Sequence, residues 1–520
     1  MRIVPKEGGQ EIKYDVGPQT LRTHGGIPVF GLYAGWRNTV EVTYTRVFQG
    51  EEKTVTESYV INTQPAWLET TGNPAIAQNF MTAKVTTPAP KEFSDRLYFI
   101  NNLGAADVRA SRAVWNNPVG GALQWNNPPR NAILDTKGEI RWYMKADRIY
   151  DPESLYDAGI MMGFHQNADG ALSWGYGQHY AKYDLLGRKV FNRRLPPNYA
   201  DFSHAMMPAE NGGYFLRVAS PDLRRADDTR VRTVRDVIIE VDASGEVVDE
   251  WRLFEILDPN RNIVLKSIDQ GAVCLNIDTS QSGKTLSAEQ LAKLEAQHAF
   301  GDIAGTGAGR NWAHVNSVDH DPVDDSIILS SRHQSAVVKI GRDKQVKWIL
   351  AAPNGWRDGL KDKVLTPVGK DGRPLSCRIG KCEGGFDWTW TQHTAWKIDE
   401  LSKGDIVRAF VQPEDQNEKY SRAVVYKIDQ KAMTVEQVWE YGKERGHELY
   451  SPITSSVEYQ ADKNSVVVYW ASIGTGSKTG PAPVLTEFRW GETKPAFEMH
   501  LKGGLGYRAL PIDAQKAFVR

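Results

Sequence analysis

Ala132-Ile133-Leu134-Asp135-Thr136-Lys137-Gly138, leading on to Trp142, is a figure that returns along the chain. It consists of an apolar strand, an Asp or Gly turn and a second strand ending near an aromatic residue. Tyr183-Asp184-Leu185-Leu186-Gly187 leads to Phe191, and Ile239-Glu240-Val241-Asp242-Ala243-Ser244-Gly245 leads to Trp251. Val338-Lys339-Ile340-Gly341 leads to Trp348, Tyr426-Lys427-Ile428-Asp429 to Trp439, and a weaker copy runs from Leu485 to Phe497. Six hairpins of one kind predict the blades of a six-bladed β-propeller. Periodicity alone also admits six unrelated hairpins in a sandwich. The copies lie roughly 50 to 100 residues apart, so some blades carry long insertions, where a site would be built.

Composition agrees with an all-β chain. Its 520 residues are too many for one ordinary core, and 16 tryptophans with 46 glycines and 26 prolines suit many short strands and turns. With 63 basic and 64 acidic residues and no block of like charge, binding to nucleic acid or a membrane surface through net field is excluded. No apolar run reaches the length of a membrane span. Met1-Arg2-Ile3-Val4-Pro5 lacks an apolar signal core, so the chain is cytosolic or already trimmed.

Residues 1–92 read as a small N-terminal β-sandwich domain, clearest where period-two runs between Val40 and Asn62 flank Gln49-Gly50-Glu51. Residues 93–520 are then the propeller domain. Ser287 and Gln290 form a capping box ahead of Leu291 and Leu294, predicting a helix in one insertion. Cys274, in an apolar run, reads as a buried thiol.

The chemistry-bearing residues gather in four segments. One is the loop from Cys377 to His393, with Cys377 and Cys382 close enough to close a small ring and an aromatic run from Phe386 to Trp390. The others are Asp201-Phe202-Ser203-His204-Ala205, Arg310-Asn311-Trp312-Ala313-His314-Val315-Asn316-Ser317 and Ser330-Ser331-Arg332-His333-Gln334. Strand alternation places Trp312, His314 and Asn316 on one side and turns His333 away from the face of Arg332. His333 therefore joins His24, His165, His179, His298, His320, His447 and His500 as structural. Three histidines, an asparagine and an arginine with no nearby carboxylate cluster make a donor-rich pocket for an anion with several oxygens. Such a pocket suits a sulfate or phosphate ester better than a metal.

The blocks from Gly309 to Ser317, Ser330 to Gln334 with Gly341 to Leu350, and Thr391 to Thr394 resemble bacterial arylsulfate sulfotransferase. The likeness runs from about residue 95 to the end, including Tyr450 to Ser455 and Tyr507-Arg508-Ala509-Leu510. The resemblance implies a periplasmic homodimer with an N-terminal β-sandwich and a six-bladed propeller. Such an enzyme moves a sulfuryl group from a phenolic sulfate donor to a phenol acceptor, with no nucleotide sulfate donor or other cofactor. On that resemblance His393 is the transiently sulfurylated nucleophile. His204, His314 and Arg332 surround the sulfuryl group, Asn316 and Thr454 make secondary contacts, and Cys377 and Cys382 form a short-range disulfide. The chain departs from the family at Ile406 to Pro413 and at Tyr469-Trp470-Ala471-Ser472, which bears on acceptor preference.

The chemistry accounts for these groups. Sulfuryl transfer, like phosphoryl transfer, needs an in-line attacker and stabilised equatorial oxygens more than covalent assistance. A neutral imidazole is a competent attacker near pH 7, and a cationic clamp keeps it neutral. His204 is the expected proton carrier, and the Phe386 to Trp390 run the expected slot for an aryl ring. The rival readings are a metal-dependent propeller hydrolase or lactonase and a non-catalytic anion-binding propeller. No Cys-x-Pro-x-Arg signature of simple sulfatases is present.

Overall fold

Each copy of the repeated figure folds as an antiparallel hairpin in the computed structural model. The model describes residues 1–520 apart from 70–77, 105–126, 152–153, 155–156, 221–227, 229–235, 259–260, 262–311, 379–380 and 416–419. The expected helix at Ser287, together with Cys274, His298, Arg310 and Asn311, lies outside the described residues. The hairpins are Pro129–Asp135 with Ile140–Tyr143, His179–Tyr183 with Lys189–Arg194, and Asp236–Val241 with Val247–Arg252. They continue as Ala336–Ile340 with Val346–Leu350, Ala423–Asp429 with Thr434–Tyr441, and Val484–Arg489 with Phe497–Lys502.

The turn residues explain why the figure is so constant. Asp135 Oδ1 accepts from the backbone N–H groups of Lys137 and Glu139 at 2.9 and 3.0 Å, and Gly138 follows at φ +80°. Asp184 and Asp242 accept from the same relative positions, so a short carboxylate folds the chain back on itself. The closing aromatic has a different partner, the next hairpin's turn. Trp142 Nε1 donates to the Leu185 carbonyl at 2.6 Å, and Trp251 Nε1 to that of Gly341 at 3.0 Å. Trp348 Nε1 donates to Gln430 at 2.9 Å, and Trp439 Nε1 to the Glu492 carbonyl at 3.1 Å. Phe191 cannot donate, and there Arg193 reaches the Ala243 carbonyl instead, at 2.9 Å. Phe497 stacks on Tyr98, 5.3 Å between ring centroids, which joins the last hairpin to the first sheet.

Every hairpin belongs to a sheet of four or five strands whose opposite end is an inner strand. In order these inner strands are Leu505–Pro511, Met162–Gln166, Met206–Pro208, Val315–Asp321, Ala395–Lys397 and Ser456–Gln460. The first sheet is composite: Leu505–Pro511, near the end of the chain, pairs with Leu97–Leu103. Inner strands lie against their neighbours, with Ile406–Val411 making the contact between the fifth and sixth sheets. Their buried faces carry the apolar clusters that fill the molecule.

The N-terminal residues form a four-stranded sheet around the hairpin Arg37–Phe48 with Glu51–Asn62, turned by Gln49 and Gly50 at positive φ. Ile3, Ile12 and Val40 on this sheet share a core with Phe99, Phe164 and Trp174 of the first two large sheets and with Phe518 near the C-terminus. Thr82–Thr87 pairs with Phe497–Lys502 on the outer edge of the sixth sheet. The chain is all-β, with short helices only at its margins and in connections among the described residues. No helix among them is long and apolar enough to cross a membrane.

Candidate active site

The segments singled out in the sequence meet where the chain enters the inner strands. His204 precedes Met206–Pro208, His314 precedes Val315–Asp321, His393 precedes Ala395–Lys397 and Thr454 precedes Ser456–Gln460. The ring centroids of His204 and His314 are 4.8 Å apart, and those of His204 and His393 6.1 Å. These entries share an unusual backbone. His204, His314, Thr391, Thr454 and Ser455 all have positive φ, at 65°, 50°, 46°, 61° and 95°. Such conformations cost non-glycine residues of order 1–3 kcal/mol each and persist only where surrounding structure holds them.

His393 is held by its neighbours on both sides. Its Nδ1 lies 2.8 Å from the Ser455 carbonyl, which can only accept, so Nδ1 carries the proton and Nε2 keeps its lone pair. Ser455 is fixed in turn by Ser451 Oγ at 2.7 Å and by the Ala471 N–H, which donates to its Oγ at 3.1 Å. Burial above all pushes the His393 pKa down to about 3; the Ser455 bond, next in size, opposes it, and the Arg332 and Arg508 charges add to the lowering. The imidazole is thus neutral across the physiological range. His204 and His314 are also pushed well down, by burial and then by neighbouring basic groups: Arg217 first for His204, His333 first for His314.

Arg332 is 1% exposed, and two of its nitrogens brace loops. Nη1 donates to the Thr391 carbonyl at 2.6 Å and Nη2 to that of Pro452 at 2.8 Å, tying the His393 and Thr454 entries together. Asn316 Nδ2 donates to the Gln392 carbonyl at 2.8 Å, and Thr454 Oγ1 to that of Gly506 at 2.9 Å. Both side chains therefore hold the backbone beside His393 and Tyr507. Cys377 and Cys382 are joined by a disulfide.

Two expectations fail. His333 is not turned away: Arg332 to Ser335 form a turn rather than continuing the strand, so alternation does not apply, and the His333 ring lies 4.6 Å from that of His314. Phe386, Trp388 and Trp390 do not wall an aryl slot. They are buried in the apolar cluster around the fifth sheet, with Cys377 and Cys382 packed against it, because large rings gain more from a dry core than from a polar cavity.

The sequence reading also missed residues that the fold brings in. Tyr507 sets its ring edge-on to His393 at 5.3 Å between centroids, and its hydroxyl is buried with no hydrogen-bond partner. A bulge between Gly506 and Arg508 on the last inner strand re-aims it, and no sequence pattern marks a bulge. A carboxylate is present after all. Asp236 pairs with buried Arg217, and its Oδ2 accepts from the His314 backbone N–H at 3.2 Å. Arg217 is also anchored to the His204 loop, since its carbonyl accepts from the Ser203 N–H at 3.1 Å. The pairing of arginine with aspartate here is nonlocal, so only the fold reveals it.

Several of the histidines read as structural have side-chain partners. His179 lies 3.0 Å from Asn192, His320 2.9 Å from Asp325 and His500 3.0 Å from Glu498. Among the described residues no group of three or more His, Cys, Asp or Glu is arranged to hold a metal ion.

Residues 82–508 match the family model described as Arylsulfotransferase (ASST), and residues 1–64 match the arylsulfotransferase Ig-like domain. A protein named arylsulfate sulfotransferase AssT from Escherichia coli is 44% identical over 490 residues, spanning 90% of this chain and 79% of that one. Its namesake from Lelliottia amnigena is 42% identical over 488 residues, with the same coverage of both chains. A crystal structure of a protein of unknown function from Bacteroides caccae superposes with a TM-score of 0.41 at 11% identity, covering 80% of this chain and 98% of that one. That last likeness is too remote to bear on the site. The match over most of the chain, with two relatives above 40% identity, is decisive: the chain belongs to the arylsulfotransferase family.

Proposed function

We propose that the protein moves a sulfuryl group from a phenolic sulfate ester to an acceptor phenol in two half-reactions joined by a sulfohistidine at His393. The observation that carries this reading is the His393 imidazole, protonated at Nδ1 by its bond to Ser455, neutral, and bare at Nε2 inside a cationic cluster. In the first half-reaction Nε2 attacks sulfur, the bond between sulfur and the aryl oxygen breaks, and its electron pair leaves with the phenolate. In the second, an acceptor phenol gives up its proton and its oxygen attacks the same sulfur, returning the imidazole. His204, kept neutral by its surroundings, is the base that accepts this proton. It then releases the proton to solvent, where the first phenolate takes it up, so the cycle has no net proton change. Arg332 and His314 stabilise the sulfuryl oxygens, while Asn316 and Thr454 set the loops that aim His393.

The same reading takes the six large sheets as the blades of a propeller formed by 93–520, with 1–92 as a small β-sandwich domain beside it. It takes the protein as a periplasmic homodimer that needs no cofactor. A brief pulse of 4-nitrophenyl sulfate without acceptor, followed by intact-mass analysis and peptide mapping, tests the chemistry. One added sulfuryl mass on His393, absent in His393→Asn, is expected. Release of 4-nitrophenol with no mass added at any stage of the pulse refutes the covalent route.

A further inference from the structure

Near the imidazole cluster, another buried arginine lies between the inner strands with no ion-pair partner among the described residues. Arg508 is 5% exposed, on the strand Leu505–Pro511 immediately after Tyr507. Its Nη1 donates to the Phe164 carbonyl at 3.1 Å and to His165 Nε2 at 3.3 Å. Because a guanidinium only donates, His165 Nε2 is the acceptor and its Nδ1 carries the proton. The indole of Trp396, from the fifth sheet, lies 4.8 Å from the guanidinium and 5.9 Å from the His165 ring, which comes from the second. Among the described residues Arg508 Nε and Nη2 donate to no atom, and neither is fully sealed from solvent. No carboxylate oxygen comes within 4.0 Å of it among the described residues.

A guanidinium nine-tenths buried with two donors unengaged is costly unless a charged or strongly accepting group meets it. The nearest carboxyl by electrostatic effect, Glu458, makes no ion pair with Arg508, and burial pushes its pKa up against the opposing Arg508 charge. His165 and Glu458 also line a cavity of about 650 Å³. Both lie within or near the ends of Met162–Gln166 and Ser456–Gln460, whereas His204, His314 and Thr454 precede their strands. The wall of that cavity includes His165, which Arg508 touches, and it lies toward the other ends of the inner strands from the imidazole cluster.

We propose that Arg508, with His165 and Trp396 around it, is a second oxyanion site, entered from that cavity and taking a free tetrahedral dianion such as sulfate or phosphate. Its fork of donors matches two oxygens of such an ion, and the Trp396 face and the Phe164 carbonyl fix its plane. The site stands on its own residues and does not depend on sulfuryl transfer at His393.

Crystals soaked in sodium selenate test it directly by selenium anomalous scattering. The expected result is a peak about 4 Å from the Arg508 guanidinium carbon, the distance of a forked N–H···O pair. Selenium found only at the imidazole cluster, or nowhere, overturns the proposal, and this arm needs no substitution. In solution, Arg508→Gln is expected to lower selenate affinity at this site about tenfold or more, with Arg508→Lys between it and the wild type. An unchanged affinity in a folded Arg508→Gln protein overturns it. Separate displacement of selenate by sulfate and by phosphate identifies which source the site prefers, and displacement by neither overturns the assignment.

Discussion

The outer hairpins and the inner-strand entries are built on opposite plans. At the outer edge one device is used again and again: a short carboxylate folds the turn, and an indole donates to the turn of the following sheet. Each copy uses standard turn chemistry and could be exchanged for another. At the inner entries the positive φ recurs, but no hydrogen bond repeats. His393 depends on Ser455, Arg332 on the Thr391 and Pro452 carbonyls, and His314 on Asp236, in backbone conformations that most residues avoid. Redundant local bonds make the frame tolerant, and strained, unique bonds make the site exact and fragile.

The sharpest way to break the comparison is to remove the nucleophile. His393→Asn is expected to lower kcat on the order of 10⁴-fold or more while the thermal midpoint stays near wild type, read by phenol release and scanning calorimetry. Arg332→Gln follows, with a loss of about 2.7–4 kcal/mol in kcat/KM if its charge acts on the transferring oxygens. It should also destabilise, because two carbonyls lose their donors, and a variant changed in stability alone would assign Arg332 to the frame.

The acid limb comes next. His393 has a folded pKa of about 3 against an ordinary 6.5, so between those values the unfolded chain binds a proton that the folded chain does not. Stability is therefore full above about pH 6.5 and falls as pH drops toward 3, by about 1.4 kcal/mol per pH unit for each such histidine. His393→Asn should flatten the pH dependence of urea unfolding by one proton's worth, and an unchanged slope would mean that this ring titrates normally. The smallest effect belongs to the frame. Trp251→Phe removes the bond to Gly341 and should cost about 0.5–1.5 kcal/mol in unfolding with turnover unaltered. A large loss of activity there would show that frame and site are not separable.

Legibility followed the same division. The hairpin turns could be read because Asp135, Asp184 and Asp242 act on N–H groups within four residues of themselves. The imidazoles could be picked out by type and by family likeness, yet not their geometry. His333 was misplaced because strand alternation was carried past the end of a strand. Tyr507 was overlooked because a bulge aims it, and Asp236 because its partners Arg217 and His314 are far along the chain.

By itself the sequence determined an all-β chain of repeated hairpins, the closing aromatics, the pair of cysteines and the histidines worth watching. All of these follow from periodicity and short-range hydrogen bonding. Only the tertiary structure decided which nitrogen of His393 is bare, that Phe386, Trp388 and Trp390 belong to a core, and that Arg508 is buried with no ion-pair partner among the described residues. Those are matters of what lies across a gap between sheets, and a one-dimensional string carries no distance between residues that never neighbour one another.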